Sequence, residues 1–325
     1  MLRPTDHAPR WQGIDLVRGV AIVMMAVFHI GWDLYFFGWS ATDVTTDLPW
    51  VLFQKLTLGT FVFIAGATLV LAHGRAIRWR PFWRRFGVLV AAALAVSAGT
   101  YLMFPEYFVF FGVLHALALF SLLALPFLRL DWRLVALCGI GVIAANALYD
   151  DEIFRERWLA WIGFWPLSPE TADIVPIFPW FGVELFGLAA MRAVLGTPLG
   201  HRLAALRLTA PPFRALGFIG RWSLPIYLIH QPILIGIMML VIQVAPPVPA
   251  EAQRDVGFVT TCEAQCTANR QGDQDCVAYC SCALDQVRSN DLWAAVGATK
   301  PSAEAQSQIS QVAALCTALS RPAMN

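Results

Sequence analysis

Four ionisable residues lie within one apolar segment near the start of the chain, and their spacing places them on one side of a helix. They occur between positions 14 and 34 and are Asp15, Arg18, His29 and Asp33. At about 100° per residue the two aspartates coincide in direction, and the other two side chains fall within about 60° of them. Ionisable side chains inside a membrane are costly and mark functional sites. Because Arg18 and His29 are about 16 Å apart along such a helix, the segment predicts a polar route across a membrane.

The last apolar segment carries a second group of polar residues. Ser223, Tyr227 and His230 recur at helical spacing and share one face. Pro232 removes an amide donor, which leaves the carbonyl of Leu228 without its usual partner. Such freed carbonyls help to build polar sites at membrane depth. This segment therefore predicts a second contribution to the same site.

Structural explanations compete with a functional role for these residues. His29 with Asp33 is also compatible with a pair between helices, and Asp15 with Arg18 is compatible with an ion pair at the membrane boundary. His230, and His115 in the fourth apolar segment, can each be satisfied by a hydrogen bond to a neighbouring helix. Glu184 and Lys55, in the sixth and second segments, can form a buried ion pair. The sequence leaves these alternatives open.

The composition predicts an all-α integral membrane protein. Of 325 residues, 58% are hydrophobic and 14% are charged, whereas soluble domains carry roughly 25% charged residues. Seven apolar segments approach the ~20 residues that a spanning helix needs, so about seven transmembrane helices are expected. They lie at about 14–36, 50–72, 86–104, 107–128, 134–149, 178–196 and 222–244. No nucleic-acid partner is expected.

The arginine content of the short loops predicts the orientation. The loop 75–85 contains five arginines and no acid, and residues 197–221 contain four more. The loop 37–49 has two aspartates and no basic residue. Because cytoplasmic loops carry the excess of Lys and Arg, the N-terminus is predicted to be cytoplasmic. With seven spans, the C-terminus then lies outside.

The cysteines are concentrated in the C-terminal segment, where six of the seven occur. Cys262 with Cys266 and Cys276 with Cys280 are each four apart, so each pair lies on one helix face. A helical hairpin would join Cys262 to Cys280 and Cys266 to Cys276, leaving Cys282 to reach Cys316. Disulfides need an oxidising compartment, in agreement with the predicted topology. Six cysteines allow fifteen pairings, and a zinc site is the alternative.

These observations divide the chain into three parts. Residues 1–244 form the predicted transmembrane domain. Residues 245–256 are a Pro-rich linker, a composition typical of semi-rigid spacers. Residues 257–325 form a small, Cys-rich helical domain stapled by disulfides and located outside.

Several motifs resemble one known family. They are IDLVRG (14–19), FHIGWDL (28–34), FGVLHA (111–116), VPIFPWFGV (175–183) and IGRWSLPIYLIHQP (219–232). Together, in this order, they resemble the catalytic family of heparan-α-glucosaminide N-acetyltransferase over residues 10–244. The resemblance implies transfer of an acyl group, acetyl in that enzyme, from cytoplasmic acyl-CoA to an acceptor across the membrane. The acceptor implied is an amine or hydroxyl, as in a sugar.

The resemblance also implies roles for the polar residues. His29, oriented by Asp33, would act as a base or carry the acyl group, while His230 or Tyr227 would polarise the thioester carbonyl. The residues expected to hold acyl-CoA are Arg18, Asp15, His115, Arg84 and Arg85, because guanidinium groups match phosphate geometry. No metal is expected.

Localisation and partners follow from the same interpretation. The chain is expected in a bacterial inner membrane, with its Cys-rich domain in the periplasm and an envelope glycan or another small molecule as acceptor. The Cys-rich domain is a candidate docking module for a protein partner. The alternatives are a proton-coupled transporter, which also uses intramembrane His and Asp, and a non-catalytic subunit.

Overall fold

The protein is helical throughout the residues described by its structure, a computed structural model. The structure describes residues 11–74, 76–246, 250–268, 275–298 and 302–320, and no β-strand occurs among them. Among the described residues before 246 there are nine α-helices, and their bounds are α1 Gln12–Phe36, α2 Leu48–His73, α3 Trp79–Met103, α4 Val113–Leu123, α5 Trp132–Leu148, α6 Ile177–Val194, α7 Pro198–Ala205, α8 Pro211–Arg221 and α9 Ser223–Val244. Four follow in the described C-terminal residues: α10 Ala250–Ala268, α11 Cys276–Ser289, α12 Trp293–Val296 and α13 Ala303–Leu319.

Five of these helices are long and apolar enough to cross a membrane, namely α1, α2, α3, α6 and α9. The chain is therefore an integral membrane protein, as its composition predicts. The predicted spans 107–128 and 134–149 correspond to shorter apolar helices, α4 with 11 residues and α5 with 17. Helix α4 begins at Val113 because extended backbone at Gly112 and a bridge from Phe111 to Ile174 precede it. The number of seven spans stays a prediction.

The chain divides into two compact units. In the first, residues 11–31 and 44–237, helix α6 packs against α2 and α5. A Cβ atom added at Gly187 would collide with the carbonyl of Phe63, and one added at Gly66 would collide with the carbonyl of Glu184. Small residues let membrane helices approach this closely. The α2–α6 contact therefore fixes the position of Glu184 in the core.

The start of α1 packs on α8 through a similar contact. A Cβ at Gly220 would collide with the carbonyl of Asp15, and one at Gly19 would collide with the carbonyl of Leu216. The amide N–H of Leu208 also donates to the side-chain oxygen of Gln12 at 2.8 Å. These contacts hold the turn of α1 that carries Arg18.

The second unit comprises residues 32–43 together with the described residues from 238 onward. Its three disulfides are Cys262–Cys280, Cys266–Cys276 and Cys282–Cys316, and they join the same partners as the helical-hairpin prediction. Two of them tie α10 to α11, and the third ties α11 to α13. Helix α10 begins at Ala250, inside the predicted linker 245–256.

An ion pair supports the hairpin of α10 and α11. The Arg288 guanidinium donates to the Asp255 carboxylate, and this hydrogen bond holds the pKa of Asp255 below its usual value. Next to it, Arg254 lies over the Trp293 ring at 3.8 Å from the ring centroid. Charge and cation–π contacts thus add to the disulfides in this small unit.

Removal of Cys282–Cys316 is expected to cost the second unit the most stability. This bond spans 34 residues, against 10 for Cys266–Cys276, and loop-closure entropy predicts losses of about 4 and about 3 kcal/mol respectively. The double variants C282S/C316S and C266S/C276S can be compared by hydrogen exchange of the α11 and α13 amides in the detergent-solubilised full chain. A larger loss for C266S/C276S would contradict the loop-closure argument.

Candidate functional site

Two histidines from the ends of the sequence meet in the first unit. His29 lies on α1 and His230 on α9, and His29 Nδ1 is 3.2 Å from His230 Nε2. His230 Nδ1 lies 2.6 Å from the Tyr227 carbonyl oxygen, and His29 Nδ1 lies 2.9 Å from the Met25 carbonyl oxygen. Both rings are partly buried. Each histidine is therefore held in place by a carbonyl of its own helix.

The carbonyl partners assign the protons of both rings. A carbonyl oxygen only accepts, so Nδ1 of each histidine carries the hydrogen. His230 Nε2 then has a lone pair, and it shares the single Nδ1–H of His29 with the Met25 carbonyl in a bifurcated hydrogen bond. His29 Nε2 also has a lone pair, and none of the described residues donates a hydrogen bond to it. This nitrogen is chemically available as a base or nucleophile.

A cavity of about 910 Å³ lies in the same unit. Four arginines give it a positive character: Arg18 from α1, and Arg80, Arg84 and Arg85 from the first turns of α3. Aliphatic side chains of α1, α2, α3, α4 and α9 line much of the rest, among them Ile22, Ile64, Leu89, Leu114 and Leu224. Ser223 and Tyr227 border the cavity from α9. The space therefore combines a positively charged group of side chains with an apolar lining.

Tyr227 connects this cavity to the histidine pair. Its side chain lines the cavity, and its carbonyl accepts the hydrogen bond from His230. The ring centroids of Tyr227 and His230 are 5.8 Å apart, and those of His230 and His29 are 4.7 Å apart. Tyr227 is thus the cavity-lining residue that contacts the histidine pair, and neither histidine lines the cavity itself.

The acidic residues near the arginines differ in burial. Asp15 lies 3.7 Å from Arg18 in an ion pair one turn away on α1. Glu184 is completely buried, and neither of its carboxyl oxygens makes a hydrogen bond to a described residue. Its electrostatic partner is Arg85, whereas Lys55 is exposed. A buried Glu184–Lys55 ion pair is therefore wrong.

The structure brings together only part of the predicted site. Arg18, Arg84, Arg85 and Tyr227 line the cavity, and His29 and His230 contact each other. Asp15 does not line the cavity, but it forms an ion pair with Arg18, which does. Asp33 is completely buried and belongs to the second unit, so its role stays a prediction from sequence.

His115 is located at the start of α4 and does not line the cavity. Its Nδ1 accepts from the Gly112 amide at 3.3 Å, and its Nε2 is 3.3 Å from the Ser97 hydroxyl. That hydroxyl donates to the Val109 carbonyl at 2.6 Å. These bonds cap the helix and give both ring nitrogens a partner.

Two residues join the site that the sequence analysis did not select. Arg80 lines the cavity, and it was counted only among the loop arginines. Asp173 accepts a hydrogen bond at 3.1 Å from the amide of Val113, which lines the cavity. Because its partner at the start of α4 is 60 residues away, no local pattern marks it. Burial raises the pKa of Asp173 to about 6, against the opposing effect of the Val113 hydrogen bond.

Replacing Asp173 by Asn is expected to change how stability depends on pH. The native pKa of Asp173, about 6, lies above the ordinary value of 3.8. The contribution of this carboxyl to the free energy of unfolding is therefore fully present below pH 3.8 and is lost as pH rises through 6. The Asn variant lacks this loss of stability, which is about 3 kcal/mol at about 1.4 kcal/mol per pKa unit, and its side-chain oxygen still accepts from the Val113 amide. Thermal unfolding in detergent between pH 4 and 7 measures the difference. Asp131→Asn, at an exposed helix cap, is the matched control, and equal pH profiles for wild type and Asp173→Asn would contradict the assignment.

The fold and the site define an integral membrane protein with a basic cavity next to a histidine pair. Residues 10–232 match the family model described as heparan-alpha-glucosaminide N-acetyltransferase, catalytic. The match covers well over half of the chain, so the chain belongs to this family, as the motif resemblance predicted. It ends before the Cys-rich segment. No curated protein and no solved structure matches the chain.

Proposed function

We propose that this protein transfers an acyl group, acetyl in its family, from cytoplasmic acyl-CoA to an amine or hydroxyl of an acceptor on the other side of the membrane. Membership of the family supports a transmembrane acetyltransferase-type function. The observation that carries the finer proposal is the basic cavity lined by Tyr227, whose ring neighbours His230, which in turn contacts His29. A donor with several phosphates and a long apolar arm is the ligand that suits such a space.

The cavity fits the donor in both charge and size. Arg18, Arg80, Arg84 and Arg85 supply planar donors for the phosphates of coenzyme A. The volume of about 910 Å³ lies at the upper end of the range for small-molecule sites. The pantetheine arm would occupy the aliphatic part, which directs the thioester toward Tyr227.

The histidine pair supplies the acid–base chemistry. His29 Nε2 takes the proton from the acceptor amine or hydroxyl as that group attacks the thioester carbonyl. A new C–N or C–O bond forms, the C–S bond breaks, and the leaving thiolate of coenzyme A receives the proton that His29 took, which returns His29 to its neutral form. His230 accepts from His29 Nδ1–H and so stabilises the imidazolium that forms. In the alternative route His29 Nε2 attacks first and carries the acyl group.

We also propose which side of the membrane the donor and the acceptor occupy. The excess of arginine in the loops 75–85 and 197–221 supports a cytoplasmic location for the donor side. Three disulfides in the C-terminal unit support an oxidising compartment for it, the periplasm of a bacterial inner-membrane protein. There the unit is a candidate docking module for a protein partner, and the acceptor is an envelope glycan or similar small molecule.

Acyl transfer in proteoliposomes tests this proposal. The full chain is reconstituted, radiolabelled acetyl-CoA is supplied on one face only, and amino sugars and polyols are enclosed on the other. We expect label to appear on the enclosed acceptor. Flux of an acceptor in the absence of acetyl-CoA would identify a transporter instead. No label on any acceptor, with a properly folded chain, would favour the non-catalytic subunit.

A further inference from the structure

Helix α8 exposes an apolar surface that no described residue covers. Phe218 is 63% exposed, and Trp222, at the C-terminal cap of the helix, is 50% exposed. Their ring centroids lie 6.4 Å apart, so the two rings form a continuous patch. The opposite side of the helix is occupied, because Gly220 packs against the α1 backbone. The helix is thus anchored on one side and open on the other.

Two arginines flank this patch without a carboxylate partner. Arg214 and Arg221 are exposed, and neither forms an ion pair with a described residue. At about 100° per residue they lie within about 100° of Phe218 and Trp222 around the helix. No Asp or Glu occurs between Glu184 and Glu251. Positive charge therefore stands beside the aromatic patch with no acidic residue near it in the sequence.

We propose that α8 with Trp222 binds an anionic phospholipid. The lipid phosphates pair with Arg214 and Arg221, and the acyl chains pack on Phe218 and Trp222. Helices with aromatic residues on one face and arginines beside them lie in the membrane interface. Anionic lipids are enriched in the leaflet that faces basic loops. Because α8 is anchored to α1 next to Arg18, bound lipid also stabilises that contact.

Native mass spectrometry of the full chain in detergent tests this inference with defined lipids. We expect the wild type to retain phosphatidylglycerol in preference to phosphatidylcholine. The variant R214Q/R221Q should bind phosphatidylglycerol about 25-fold more weakly, which corresponds to about fivefold per arginine. F218S should weaken binding of the lipid as well, because the acyl chains lose their contact surface.

Matched variants separate this site from general charge attraction. R129Q/R133Q removes two exposed arginines from another loop and should change binding less than twofold. R214K/R221K keeps the charge and should retain the lipid, and the melting temperature of the wild type should rise with added phosphatidylglycerol. Equal losses in R129Q/R133Q and R214Q/R221Q would overturn the proposal. Displacement of the lipid by glycerol phosphate at equal concentration would overturn it too, because the acyl chains would then contribute nothing.

Discussion

Replacing His29 by Ala is expected to lower the turnover number of acyl transfer at least a hundredfold. General base catalysis by a positioned side chain contributes about 10²- to 10⁴-fold, and His29 Nε2 has an available lone pair. The Michaelis constant for acetyl-CoA should change little, because His29 does not line the cavity. Initial rates in proteoliposomes, with both constants determined separately, measure the effect.

Two further variants sharpen this prediction. His230→Ala should lower turnover less than His29→Ala, because it removes one of the two acceptors of the His29 Nδ1–H and leaves His29 Nε2 in place. His201→Ala changes an exposed histidine on α7 and is the matched control. Near-normal turnover of His29→Ala would remove this residue from the mechanism.

The base and carrier routes differ in one observable product. If His29 carries the acyl group, the wild type incubated with radiolabelled acetyl-CoA and no acceptor retains label on the chain, and His29→Ala does not. If His29 is only a base, neither chain retains label. Acid-free gel filtration of the detergent-solubilised proteins distinguishes the two results.

The sequence predicted the helical class and the family because both depend on short-range information. Apolar segments and the motifs around His29 and His230 are local patterns, and the match over residues 10–232 confirms the family. The cysteine hairpin is local as well, since Cys262 and Cys280 are only 18 residues apart. Helical periodicity placed Ser223, Tyr227 and His230 on one side of α9, although only contact between helices could join His230 to His29.

What the sequence could not predict depends on packing between distant segments. The contact of His29 with His230 spans 201 residues, and that of Asp173 with Val113 spans 60. The partner of a buried charge cannot be read from the sequence either, and the pairing of Glu184 with Lys55 was wrong because Lys55 is exposed. His115 was assigned to the donor site because a polar residue in an apolar segment suggests function. Its bonds to Gly112 and Ser97 depend on the loop that shortens α4.

Removal of the cavity arginines should raise the Michaelis constant for acetyl-CoA with little effect on turnover. A hydrogen bond to a charged group contributes about 1.5–3 kcal/mol, so R84Q and R85Q are each expected to raise this constant by about tenfold to a hundredfold. Arg129→Gln, an exposed arginine outside the cavity, is the matched control. Initial rates over a range of acetyl-CoA concentrations provide the measurement.

The donor itself can show which phosphate each arginine binds. Acetyl-dephospho-CoA lacks the 3′-phosphate, so an arginine that pairs with that group gives no further loss when the truncated donor is used. An arginine that binds the diphosphate gives losses that add to those of the truncation, because independent contacts are additive. Of Arg84 and Arg85, Arg85 is the more informative residue to replace, because its guanidinium is also attracted by the buried carboxylate of Glu184. If turnover falls in R84Q and R85Q while the Michaelis constant stays at the wild-type value, the arginines do not hold the donor, and the cavity must serve a later step than binding.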